Sequence, residues 1–160
     1  MQLLISDANI LIDLEEGRLL AAFFQLPYKF CVPDILFYEE LEEQHGYLIE
    51  FGLDVREIQA DAMLYADEII KKFNGPSRND LFALALARQE GCPLLTGDAK
   101  LRRAAEKEAV IVMGTLWAVE ALVTHGLVSK DGASESYELM RGAGRRLPWK
   151  DAYERLSNLP

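Results

Sequence analysis

Apolar positions in this chain alternate between two kinds of run. Residues 2–6 (QLLIS), 30–33 (FCVP), 53–58 (LDVREI), 93–97 (PLLTG) and 109–113 (AVIVM) are short apolar or β-branched stretches bounded by turn residues, and the pattern predicts a strand in each. Between them DANILIDL, GRLLAAFFQL, DILFYEELEEQH, ADAMLYADEIIKKF, SRNDLFALALARQEG and DAKLRRAAEKE carry apolar residues at three- and four-residue spacings, and several open on Ser or Asp as helix caps do. Short strands alternating with helices predict an α/β fold, a parallel sheet covered on both faces. After the fifth strand GTLWAVEALVTHGL reads as a further helix from near Thr115, followed by a helical tail broken at RGAGRRLPW. There is no internal repeat and no low-complexity tract, so the chain reads as one domain.

Composition narrows the class. At 160 residues, half of them apolar, the chain can bury a core without disulfides or structural metals. Its two cysteines, Cys31 and Cys92, each lie in an apolar run and read as reduced core thiols of a cytoplasmic protein. The N-terminus has no basic segment and reaches Asp7 after six residues, which argues against a signal peptide and against a membrane span. The net charge of −9 speaks against bulk polyanion binding, but it is unevenly spread. Residues 1–70 hold fifteen Asp and Glu against three Lys and Arg, whereas residues 71–160 hold eleven against fourteen.

Candidate chemistry lies in the acids. In open parallel sheets ligands bind beyond the carboxyl ends of the strands. Asp7 follows the first predicted strand and Asp98 the fourth, while Asp80 opens the strongly apolar helix in SRNDLFALALA. In DILFYEELEEQH a rotation of about 100° per residue gathers Leu36, Phe37, Leu41 and Leu48 on one arc and leaves Glu40 alone of the glutamates inside it. Each acid has an ordinary alternative: Asp7 and Asp98 serve as helix caps, Ser77 and Asp80 form a capping box, and Glu40 is solvated. Together, four carboxylates aimed at one sheet edge must share protons or bind cations. An all-oxygen acidic cluster suits Mg²⁺ or Mn²⁺, and phosphodiester hydrolysis is the chemistry such ions support. Asn9 and Thr96, each two residues from a candidate ligand, are placed to orient carboxylates or water.

The stretches ISDANILIDL, VPDILFYEEL, SRNDLFALALA and LLTGDAKLR, in that order and followed by GTLWAVEALV, resemble the PIN-domain nucleases, among them the VapC-type toxins of toxin–antitoxin pairs. The resemblance runs through residues 1–128. It implies a three-layer α/β/α fold with five parallel strands in the order 3-2-1-4-5, and an endoribonuclease dependent on Mg²⁺ or Mn²⁺. Matched residue by residue, it assigns Asp7, Glu40, Asp80 and Asp98 as catalytic metal ligands, with Asn9 and Thr96 as accompanying polar positions. Its implied partners are RNA and an antitoxin protein.

Residues 129–160 are then a helical C-terminal extension packed on the same domain. Within it Arg141, Arg145, Arg146 and Lys150, beside Trp149, form a basic and aromatic group suited to contacting RNA, or else a polar terminal helix anchored by one tryptophan. Two other readings stay open. One is a metal-dependent phosphatase, against which Asn9 replaces the second aspartate expected there. The other is a non-catalytic module acting through a protein partner or as a homodimer, supported by the acidic half and the many apolar helix faces.

Overall fold

The computed structural model describes residues 1–160. Five parallel strands form one sheet: β1 (Gln2–Ser6), β2 (Tyr28–Pro33), β3 (Asp54–Arg56), β4 (Leu94–Leu95) and β5 (Val112–Met113), in the order β3-β2-β1-β4-β5. β1 is central, with Leu4 opposite Phe30 of β2 and Ile5 opposite Leu94 of β4. The chain leaves β1 toward one side to make β2 and β3, then returns on the other side of β1 with β4. The gap between the carboxyl ends of β1 and β4 is therefore the switch point at which such sheets hold ligands.

Helices cover both faces, as the alternation predicts. They are α1 (Ala8–Glu16), α2 (Leu20–Phe23), α3 (Asp34–Leu36), α4 (Glu42–His45), α5 (Leu48–Phe51), α6 (Ala60–Lys72), α7 (Arg78–Glu90), α8 (Ala99–Lys107), α9 (Thr115–Thr124), α10 (Lys130–Gly142) and α11 (Trp149–Ser157). α7 is the central buried helix: every residue from Leu81 to Ala87 is buried, and its alanines let it approach the sheet closely. Phe23 and Phe30 stack with centroids 3.8 Å apart beneath α2. No helix is long and apolar enough to cross a membrane.

Three predicted strands are shorter in the structure, for local reasons. Ala109 adopts a positive φ of 60° and the Val110 N–H bonds back to the Ala105 carbonyl, so these residues close α8 instead of opening β5. Leu53 likewise donates to the Leu48 carbonyl and closes α5, leaving only 54–56 of the predicted 53–58 for β3. In β4 the Thr96 N–H still bonds to the Met113 carbonyl, but its side chain serves the site described below.

The segment DILFYEELEEQH departs more deeply. Between α3 and α4, residues Phe37–Leu41 form a π-helical turn in which the Glu42 N–H reaches the Phe37 carbonyl. An i→i+5 turn rotates each residue less than an α-helix does. The arc drawn at α-helical spacing therefore no longer holds for Glu40, which is exposed rather than inward-facing.

The C-terminal helices share the core of the sheet domain. Ala133, Tyr137 and Met140 of α10 and Ala152 and Leu156 of α11 are buried in the same apolar cluster as the strands. Tyr137 is fully buried, edge-on to Trp149 and Tyr153, so the tryptophan anchors the tail rather than facing solvent. Gly17 lies against α10, where a β-carbon would come within 2.6 Å of Met140 Cε. The Tyr137 hydroxyl has no hydrogen-bond partner, so packing is what holds this junction. Tyr137→Ala is expected to cost about 3–5 kcal/mol in denaturant melts, as loss of a large buried ring does, and Tyr137→Phe less than about 1 kcal/mol.

Candidate active site

Asp7 is the first residue beyond β1 and the N-cap of α1. Its backbone N–H continues the ladder to the Leu95 carbonyl, which fixes the chain at the switch point. One carboxylate oxygen, Oδ1, accepts the Ile10 N–H at 3.0 Å, and the other accepts the Thr96 hydroxyl at 2.5 Å. The same Thr96 oxygen accepts the Asp98 N–H at 3.0 Å. One hydroxyl thus ties the end of β1 to the turn after β4. Asp7 is wholly inaccessible, and burial pushes its carboxyl up to about 7; its two hydrogen bonds oppose the rise, and the charges of Asp80 and Asp13 add to it.

Asp98 and Asp80 are caps as well. Asp98 accepts the Lys100 N–H at 2.8 Å at the start of α8. Asp80 and Ser77 form a reciprocal capping box at the start of α7, with N–H to oxygen distances of 3.1 and 3.3 Å. Burial raises the Asp80 carboxyl, and the charges of Asp98 and Glu40 raise it further. The four acids therefore share one electrostatic neighbourhood around Asp80. Glu40 reaches it from the exposed rim, while its neighbour Glu39 is occupied by an amide hydrogen bond from Asn79.

None of the four carboxylates takes part in an ion pair, although ion pairs occur across the rest of the surface. No three acidic, histidine or cysteine side chains lie close enough to hold an ion by direct ligation. An all-oxygen set spaced in this way suits a hard cation that keeps several of its waters, as Mg²⁺ does.

A fifth acid joins this edge, one that the sequence reading did not single out. Asp13, one turn beyond Asn9 on α1, is buried, accepts the Thr115 hydroxyl at 2.8 Å and pairs with Arg145 Nε at 2.6 Å. Arg145 Nη2 also donates to the Asn9 side chain at 3.2 Å. Arg145 is therefore turned inward as the anchor of the turn between α10 and α11, which corrects its reading as a free RNA contact. Arg141 and Lys150 are exposed on the outer helices and line no cleft at this edge; Arg146 does. The i, i+4 spacing of Asn9 and Asp13 is the available sign that both face one side of α1. Their partner, 132 residues from Asp13, leaves no local trace.

Asn9, Asp13, Gly97, Asp98, Gly144, Arg145 and Arg146 line a cleft of about 380 Å³ with no hydrophobic residue in its walls, and of the four candidate acids Asp98 is the one that borders it. One wall comes from α1 and the start of α8, the other from the C-terminal extension.

A family model described as a PIN domain matches residues 3–159, running through the C-terminal helices as well as the sheet domain. No curated protein sequence matches the chain. Among solved structures, a chain in the crystal structure of VapBC2 from Rickettsia felis bound to a DNA fragment from their promoter is similar, with 18% identity, a TM-score of 0.49, and coverage of 71% of this chain and 98% of that one.

Two measurements test the arrangement of the site. Because the folded state holds the Asp7 proton up to about pH 7 and the unfolded chain loses it near pH 4, metal-free protein in EDTA is expected to lose stability as pH rises across that window, then to level off. Asp7→Asn is expected to remove most of the slope in pH-dependent melting, which amounts to a few kcal/mol, roughly. Arg145→Ala and Asp13→Asn are each expected to destabilise by about 2–3 kcal/mol, below the range for a fully buried pair because Arg145 is partly exposed. In a double-mutant cycle the pair should be far from additive.

With nearly its whole length matched by the family model and its strands in the order 3-2-1-4-5, the chain belongs to the PIN-domain family.

Proposed function

We propose that this protein is a divalent-metal-dependent endoribonuclease that hydrolyses phosphodiester bonds at the carboxyl edge of β1 and β4. The observation that carries the reading is the set of four acids without cationic partners, Asp7, Glu40, Asp80 and Asp98, grouped electrostatically around one switch point. These four are the residues that would hold Mg²⁺ or Mn²⁺, at most two of them directly and the others through its coordinated waters. Bound there, the ion would lower the pKa of a coordinated water and neutralise charge on the phosphate.

The chain's own part is positioning. Thr96 fixes the Asp7 carboxylate and the Asp98 backbone through one hydroxyl, and the capping box holds Asp80 at the first turn of a buried helix. Asn9 is held by Arg145 on the opposite wall, available to orient water or phosphate oxygen. Membership in the PIN-domain family supports the nuclease reading.

The toxin role and an antitoxin partner belong to the same proposal, as does self-association. The acidic N-terminal half and the exposed side chains of Tyr47, Ile49 and Phe51 around α5 support a protein-binding surface.

Purified protein is expected to cleave labelled RNA in Mn²⁺ and to be silent in EDTA. Asp7→Asn and Asp80→Asn should each lower cleavage by about 10³-fold or more, and the double variant little further, because ligands of one site act as a unit. A hundredfold excess of Mn²⁺ over its dissociation constant should also stabilise the wild type by about 2.7 kcal/mol, and Asp7→Asn should lose that response. Full activity in EDTA, or a wild-type rate in Asp7→Asn, would overturn the reading.

A further inference from the structure

Beside the polar cleft runs a second groove, of about 580 Å³, and the two share Gly97 and Arg146 in their linings. Its walls are α8 and the C-terminal extension, and its floor is the end of β5 with the start of α9. Three arginines face it: Arg102 from α8, Arg146 from the turn after α10, and Arg155 from α11. Arg155 is already paired with Glu120 at 2.8 Å and Asp151 at 3.8 Å. Arg102 and Arg146 have no carboxylate partner.

Arg102 reaches across the groove floor. Its Nη2 lies over Gly114, where a β-carbon would sit 3.4 Å from it and 3.4 Å from the Thr96 carbonyl oxygen. The guanidinium and the Thr96 carbonyl thus flank the same glycine, at the edge where Thr96 bridges Asp7 and the Asp98 backbone. Half-buried Trp117 contributes an indole to the same lining.

A net-acidic protein that leaves two guanidiniums unpaired on facing walls, in a groove opening onto a carboxylate edge, is arranged for a chain of phosphates rather than for a single anion. Guanidinium forks match phosphate oxygens, and an aromatic face in the same groove suits an unpaired base. We infer that the Arg102–Arg146 groove is the track that carries the sugar-phosphate backbone of single-stranded RNA to and from the acidic edge. The inference rests on the nuclease reading and specifies the path of its substrate. It also gives the C-terminal extension a part in binding, because without the turn anchored by Arg145 the wall bearing Arg146 would be missing.

A competing route exists on the other flank of α8, where Lys100, Arg103 and Lys107 line a separate cleft with Lys72 and Phe73. The test compares the two flanks. Binding of a labelled oligouridine is followed by fluorescence polarisation in EDTA over a series of salt concentrations. For single strands the slope of log K against log salt is about −0.7 per phosphate neutralised.

Arg102→Ala with Arg146→Ala is expected to flatten the slope by about 1.4 while leaving the melting temperature unchanged, since neither side chain has a protein partner to lose. Arg103→Ala with Lys107→Ala should leave the slope as it is. Arg102→Lys with Arg146→Lys should keep most of the slope, which separates loss of charge from any disturbance of the fold. Equal losses from both flanks, loss from the Arg103 and Lys107 pair alone, or no binding by the wild type would each overturn the track. Cleavage in Mn²⁺ is scored separately. A wild type that cleaves, with a slope indifferent to Arg102 and Arg146, defeats the track alone; arginine-dependent binding without cleavage defeats the nuclease reading alone.

Discussion

The hydrogen bond from the Thr96 hydroxyl to Asp7 joins the ends of the two parallel strands at which the strand order switches sides, and the site is organised around it. A carboxylate wholly withdrawn from water is costly unless its oxygens are satisfied. Here one oxygen is satisfied by the first turn of α1 and the other by Thr96, which in turn receives the Asp98 N–H. The constraint is mutual: β1 and β4 hold the two groups in reach, and the hydrogen bonds hold the ends of these short strands in register. Even so, burial lifts the Asp7 carboxyl to about 7, because withdrawal from water disfavours its charged form more than the two hydrogen bonds favour it.

A capping role leaves room for the ligation proposed for these acids. Asp7, Asp80 and Asp98 each accept a backbone N–H at a helix start, as the ordinary reading of such residues has it. A cap uses one oxygen of a carboxylate and fixes its position, and the charge it retains is what the neighbouring acids feel. Three helix starts converging on one edge therefore place three carboxyl groups together, with no lysine or arginine paired to them. Asp13 shows the contrast: it is also buried, but Arg145 and Thr115 satisfy it, and it serves to attach the extension.

The uneven charge of the chain takes on meaning in this geometry. The first half supplies Asp7 and Glu40, and the mildly basic second half supplies α8 and the extension, whose arginines border the acidic edge.

Periodicity and turn chemistry determined the strand and helix succession, because each depends on residues a few positions apart. Asp7 and Asp98 were legible as residues ending parallel strands, and Asp80 as the opening of a buried helix. Glu40 was placed correctly on the chain but wrongly in orientation, since the π-helical turn at Phe37–Leu41 is a backbone irregularity that side-chain spacing does not encode. The inward role of Arg145, the burial of Asp13 and the groove between Arg102 and Arg146 were decided only by tertiary structure. Each depends on the C-terminal helices folding back onto α1 and α9, and contacts across more than a hundred residues are set by the packing of whole faces rather than by any local pattern.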